Sequence, residues 1–142
     1  MGRARAWQDR LGEGARERIL ICTGRIYHEL DKERERRMDT TTAVITLEEL
    51  YPFPEAELVN EIARHPSAQL VWVQEEPANM GAMFCVLPHL QRLAGYQPVW
   101  TVKRSPSASP ATGSKKAHEI EQNTLISVAY YGRDNISIPK EK

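Results

Sequence analysis

Apolar and polar positions along the chain change period several times, and each change marks an element. Residues 18–23, Arg-Ile-Leu-Ile-Cys-Thr, make a short continuous apolar run, the pattern of a strand buried on both faces. After Gly24, residues 25–37 put Ile26, Tyr27 and Leu30 on one helical face. The rest of that segment is charged, with helix-compatible pairs such as Glu33 with Arg37. Thr42–Leu47 reads as a second, β-branched strand, and Glu48–Pro54 as a loop fixed by two prolines. Glu55–Arg64 predicts a helix with Leu58, Val59 and Ile62 on one face and acids in the first turn, where the helix dipole favours them.

Leu70–Gln74 is the third strand, and Glu75–Gly81 leads out of it. Phe84, Leu87, Leu90 and Leu93 form the core stripe of a following helix, kinked or restarted at Pro88. Val99–Val102 is the fourth strand; a loop over 105–114 then leads to a final helix through about Ala129. Residues 1–17 read as a partly helical lead-in and 130–142 as a tail, leaving one domain over 18–129. Strands alternating with helices at this spacing define an α/β domain with a mainly parallel sheet, right-handed crossovers and helices on both faces. In such a sheet the functional loops gather at the carboxyl ends of the strands. Here those loops are the one after Leu47, the 74–81 segment and the 105–114 segment.

Composition narrows the function classes. The 142 residues are about one domain's worth, with 41% hydrophobic and 27% charged side chains. Nineteen Lys and Arg balance nineteen Asp and Glu, which removes the electrostatic case for nucleic acid or an anionic membrane as partner. No apolar run approaches the roughly 20 residues of a spanning helix. The N-terminus carries no secretory apolar stretch, and Ala6 stands where a myristoylation signal wants Ser or Thr. These features predict a soluble, cytoplasmic chain. Cys22 and Cys85, with no CxxC, read as buried small hydrophobes rather than as a disulfide or metal pair.

Two places carry candidate chemistry. Glu75 and Glu76 follow a buried strand, a position where burial adapts a carboxyl to proton transfer. From the residues alone, pairing with arginines at a subunit interface, or capping of the next helix, is the commoner role of such a pair. The loop before the last helix, with Thr112, Gly113, Ser114 and Lys115, has the small residues and following helix start of a phosphate cradle. It lacks the GxxxxGK[ST] spacing, and a helix cap at Thr112 or Ser114 explains it as well. His28, His65, His89 and His118 show no metal spacing, and His118 with Glu119 and Glu121 reads as a solvated helix face. Neither GxSxG nor a Gly-rich dinucleotide fingerprint is present. No catalytic set and no metal site can be assembled.

Three stretches together resemble a known family. They are Leu47–Pro54 (LEELYPFP), Trp72–Ala82 (WVQEEPANMGA), and Ser107–Gly113 (SASPATG) followed by Lys116, His118, Glu121 and Gln122. In this order and spacing they are similar to the C-terminal domain of the thiamine-dependent, decarboxylating first component of 2-oxoglutarate dehydrogenase, over about residues 18–129. The resemblance implies a transketolase C-terminal-like fold: three layers, α/β/α, with a mostly parallel sheet and one antiparallel strand. It implies a structural, dimerising and regulatory domain with no catalysis of its own. Thiamine diphosphate and magnesium would be held by upstream domains and not by this chain. The implied partners are those upstream domains, a second copy in a homodimer, and the other components of the 2-oxoglutarate dehydrogenase complex. Glu75, Glu76 and Asn79 become interface candidates, and an isolated domain would expose the apolar patch its partner covers.

The sequence departs from the family at Met83, where an aromatic is common, and at Glu49, Ala56 and Glu57. Those three stand where actinobacterial relatives use a Gln and two arginines to bind acetyl-CoA, so the resemblance implies no acetyl-CoA regulation here, since carboxylates repel phosphate. Two alternatives stay open: a stand-alone nucleotide- or phosphate-binding module built on Thr112–Lys115, and the same domain of another thiamine-dependent 2-oxo acid dehydrogenase or of a transketolase.

Overall fold

A computed structural model describes residues 4–5, 17–104 and 115–131. The elements run β1 (Ala4–Arg5), β2 (Arg18–Cys22), α1 (Ile26–Arg37), β3 (Thr42–Leu47), α2 (Glu55–Ala63), β4 (Gln69–Pro77), α3 (Met83–Ala94), β5 (Val99–Arg104) and α4 (Lys115–Tyr131). The sheet order is β1-β3-β2-β4-β5. Strands β2 to β5 are mutually parallel, and β1 pairs antiparallel with β3 through Ala4 opposite Leu47. The lead-in, expected to be partly helical, therefore supplies the antiparallel edge strand.

Alternation along each strand builds the two faces. Leu20, Cys22, Val44, Val71, Val73 and Val102 face one way and meet Ile26, Tyr27 and Leu30 of α1 and Leu125, Ile126, Ala129 and Tyr130 of α4. Ile19, Ile21, Ala43, Ile45, Leu47, Leu70 and Trp72 face the other way and meet Leu58 of α2 and Met83, Val86 and Leu90 of α3. The result is a three-layer α/β/α arrangement. β2 lies at the centre, and Ile19 to Cys22 are fully buried, which is why the run is apolar at every position.

Several expectations are corrected. The core stripe of α3 is Met83, Val86 and Leu90, and Phe84 is 69% exposed. The helix begins one residue after Ala82, so its phase puts Met83, not Phe84, against the sheet. Pro88 lies inside that helix without a restart; it has no N–H to give the carbonyl four residues back, that of the exposed Phe84. Val59 faces solvent while Leu58 is buried, and Cys85 is exposed, not buried. β4 runs on through Glu75, Glu76 and Pro77, and α4 runs two residues past Ala129. Tyr130, assigned to a tail, is buried, and its hydroxyl donates to the Leu30 carbonyl at 2.5 Å. Arg18 reaches from the start of β2 to donate to the Tyr130 carbonyl at 2.6 Å, satisfying an acceptor near the end of α4. No helix among the described residues is long and apolar enough to cross a membrane.

Candidate interface at the carboxyl ends of the strands

The 74–81 segment is organised by one side chain. Gln74 is buried at the end of the apolar part of β4, on the same face as Trp72, whose indole N–H donates to Gln74 Oε1 at 2.9 Å. The amide nitrogen of Gln74 donates to the carbonyls of Pro77 (2.8 Å), Met80 (2.9 Å) and Glu76 (3.0 Å). A single primary amide thus closes the connection from β4 to α3. The turn ends at Gly81, with φ +75°, where an added Cβ would lie 2.8 Å from Glu76 Oε1 and 3.0 Å from Gln74 Oε1. The QEEPANMG motif is therefore first an architectural unit, with Gln74 inside it and Glu76, Asn79 and Met80 presented outward as exposed residues.

Glu75 points elsewhere, into a polar cluster drawn from four elements. Gln122 of α4 donates to Glu29 of α1 at 3.0 Å and to Glu75 at 3.2 Å. Arg104 of β5 donates to Gln122 Oε1 and pairs with Glu121. Glu75 thus joins Arg104 through an intervening glutamine of the same chain, and Glu121 belongs to this cluster rather than to a wholly solvated helix face. Beneath it the Cys22 thiol donates to the Ile45 carbonyl at 3.7 Å; burial, with the nearby Glu75 charge, pushes it far above the ordinary thiol range. A thiol held in that form is an inert packing group.

Of the sequence-predicted residues, Glu75 sits in the cluster while Glu76 and Asn79 lie on the surface of the neighbouring loop. Thr112, Gly113 and Ser114 lie outside the described residues, and Lys115 opens α4 as an exposed side chain. Helix α3 takes no side-chain cap from Glu75 or Glu76: Ala82 stands at its N-cap. A shallow depression of about 510 Å³ lies between the ends of β2 and β3, lined by Thr23, Gly24, Tyr27, His28, Thr46, Leu47 and Glu48. On the opposite face Phe53 stacks on His89 (4.1 Å between ring centroids, 9° between planes), and Arg92 pairs with Glu55, fastening the 48–54 loop and the start of α2 to α3. Among the described residues no three His, Cys, Asp or Glu side chains converge to hold a metal ion.

Sequence reasoning quoted Gln74 and Gln122 within the family stretches but gave them no role, and it passed over Arg104. A glutamine closing an apolar strand, WVQ, was the available signal for the first. The other two meet only through long-range packing, so no local spacing announces them.

A sequence profile for the family described as 2-oxoglutarate dehydrogenase C-terminal matches residues 8–130. A Xenopus laevis protein named "2-oxoglutarate dehydrogenase-like, mitochondrial" is 38% identical over 116 residues, covering 80% of this chain and 11% of that protein. The Rattus norvegicus protein of the same name is 37% identical over 116 residues, covering 80% of this chain and 12% of its own length. A Brucella anthropi protein named "2-oxoglutarate dehydrogenase E1 component" is 41% identical over 106 residues, covering 71% of this chain and 11% of that protein. The chain therefore spans about a tenth of the length of these relatives. The expected cytoplasmic location is corrected by the first two, which are named as mitochondrial. Composition cannot make that distinction, because a folded domain carries the same surface in either compartment.

Proposed function

The chain belongs to the 2-oxoglutarate dehydrogenase C-terminal family, and from that premise we propose that it acts as the structural, dimerising and regulatory domain of a 2-oxoglutarate dehydrogenase first component, which oxidatively decarboxylates 2-oxoglutarate in the tricarboxylic acid cycle. The observation that carries this reading is the QEEPANMG segment itself. Its buried residue, Gln74, closes the turn at the carboxyl edge of the sheet and sets which neighbouring side chains face outward. In the proposal the fold is the transketolase C-terminal type over residues 18–129.

Thiamine diphosphate would supply the carbanion chemistry of the whole enzyme. Among the described residues no three His, Cys, Asp or Glu side chains converge on a point that could take its magnesium ion; in the proposal the upstream domains hold the cofactor, and no step is assigned to this chain. Glu75, Glu76 and Asn79 are proposed to serve contacts with upstream domains and with the second protomer, and the assembled enzyme to work with the other components of the complex. Regulation would involve Thr112, Gly113, Ser114 and Lys115.

The test is complementation. The chain is mixed or co-expressed with the upstream domains of a 2-oxoglutarate dehydrogenase first component, with thiamine diphosphate, magnesium and an artificial electron acceptor. Activity from the mixture and from neither part alone is expected. Silence with both parts folded would overturn the reading and bring phosphate-effector binding at Thr112–Lys115 forward.

A further inference from the structure

Exposed large apolar side chains occur on several parts of this domain, Met38, Tyr96 and Ile120 among them, and three others share one edge with a run of acidic residues. In a parallel sheet every strand-to-helix connection lies at the carboxyl edge. Tyr51, between β3 and α2, is 93% exposed; Met80, between β4 and α3, is 58% exposed; Phe84, in the first turn of α3, is 69% exposed. All three therefore belong to the same edge and to the α2/α3 side of the sheet. Their backbones are held firmly. Gln74 fixes the Met80 carbonyl, and the Phe53–His89 stack ties the Tyr51 loop to α3. Apolar groups held rigidly in water mark a contact surface rather than a loosely packed end.

Charge says what kind of surface covers them. Residues 48–63 and 74–91 contain seven glutamates (48, 49, 55, 57, 61, 75 and 76) and neither Lys nor Arg, in a chain whose overall charge is zero. Glu55 and Glu61 pair with Arg92 and Arg64, which lie just beyond these stretches. Glu49, Glu57 and Glu76 are exposed. The three apolar side chains thus belong to segments that carry exposed carboxylates and neither Lys nor Arg. Two copies meeting through this face about a two-fold axis would set like charges against each other. A surface with an apolar socket and Lys or Arg around it would complement the face instead.

We propose that Tyr51, Met80 and Phe84, with Glu49, Glu57 and Glu76 of the same segments, dock onto a basic-rimmed apolar surface in the upstream part of the same enzyme polypeptide. The inference rests on the reading of the chain as the terminal domain of a longer enzyme. The length of the relatives supports this occupant, since nearly nine-tenths of each lies outside the matched segment.

The test uses two proteins: the isolated 142-residue chain, and the full-length Brucella anthropi E1 component with its matching segment replaced by this chain. Hydrogen exchange is compared between them. Exchange at 48–54 and 76–84 is expected to slow at least tenfold in the full-length protein and to quicken again as salt is raised. Phe84→Asp is expected to return both segments to the isolated-chain rate while leaving the unfolding midpoint of the isolated chain unchanged. Tyr96→Asp, at a still more exposed aromatic on the amino edge, is expected to leave the footprint intact. Protection confined to other segments, with Phe84→Asp silent, overturns this surface and leaves the proposed function standing. An isolated chain that dimerises in sedimentation, and that Phe84→Asp renders monomeric, overturns the choice of partner. A full-length protein with neither protection nor activity overturns both.

Discussion

Trp72 and Gln74 lie two residues apart on the same face of β4, and the indole N–H of the first donates to the side-chain oxygen of the second at 2.9 Å. This bond fixes the orientation of the amide and aims its nitrogen at the carbonyls of Glu76, Pro77 and Met80. The buried side of the motif thereby sets the conformation of its exposed side.

Gln74→Glu tests that dependence with little change of shape. A carboxylate still accepts from Trp72 but cannot donate to three carbonyls, and it brings a charge into a buried position. Stability is expected to fall by about 3 kcal/mol, read from urea unfolding. Amide exchange at 77–81 should quicken more than exchange in β2.

Gly81→Ala should also be costly. Its φ of +75° disfavours any side chain, and the new Cβ would crowd Glu76 Oε1 and Gln74 Oε1. Glu76 can swing away at its flexible end, whereas Gln74 is locked. A loss of about 2 kcal/mol is expected, and adding Glu76→Ala should restore only a minor part. Full rescue by the second change would show that Gln74 is not the fixed wall.

Arg104→Ala removes a cation that faces Glu121 and, through Gln122, Glu29 and Glu75. Three carboxylates would then share one polar cluster without it. The expected cost is about 2 kcal/mol at neutral pH. The deficit should narrow as salt is raised, because screening weakens the repulsion among the carboxylates left without their cation. A deficit independent of salt would contradict the cluster's electrostatic character.

Acid stability follows from two other carboxylates. Hydrogen bonds from Arg36, reinforced by Arg37, outweigh partial burial and hold the Glu33 carboxyl below its usual range. At Asp39 burial pushes the other way. The Thr41 N–H, the Thr42 and Thr41 hydroxyls and the Arg18 charge outweigh it, and the carboxyl again lies low. Folded-state values below the unfolded ones mean that the stabilisation is complete above the unfolded carboxylate range. It is lost as the pH falls through the folded-state values. In thermal unfolding across pH 7 to 2, Asp39→Asn should flatten the acid limb, and the difference from the parent should vanish at the lowest pH.

The helix-and-strand order was legible because each element has a period and a boundary residue. Ile26, Tyr27 and Leu30 fell on the buried face of α1 as their spacing requires, and Glu33 pairs with Arg37 at 2.5 Å. The same helix shows where spacing stops informing. Arg34 continues the buried stripe from Leu30 and is 2% exposed, donating to the Thr42 carbonyl at 3.1 Å and to Asp31 at 2.7 Å. A charged residue in an apolar stripe is not readable as buried until its acceptors are known, and one of these comes from strand β3. The site divides similarly. WVQEEPANMG was visible as a motif, but which of its residues are internal scaffold and which are surface depends on the direction each side chain takes at the end of β4.

By itself the sequence determined the parallel α/β order, the apolar central strand, the family and the connections that carry its motifs. Those depend on period, on turn residues and on local spacing, all of which act over a few neighbouring positions. Tertiary structure alone decided that Met83 rather than Phe84 enters the core, that Tyr130 closes onto Leu30 across the fold, and that Glu29, Glu75, Arg104 and Gln122 meet. Helix phase and long-range pairing are settled when whole faces compete for the same buried surface, and that competition involves residues a hundred and more positions apart.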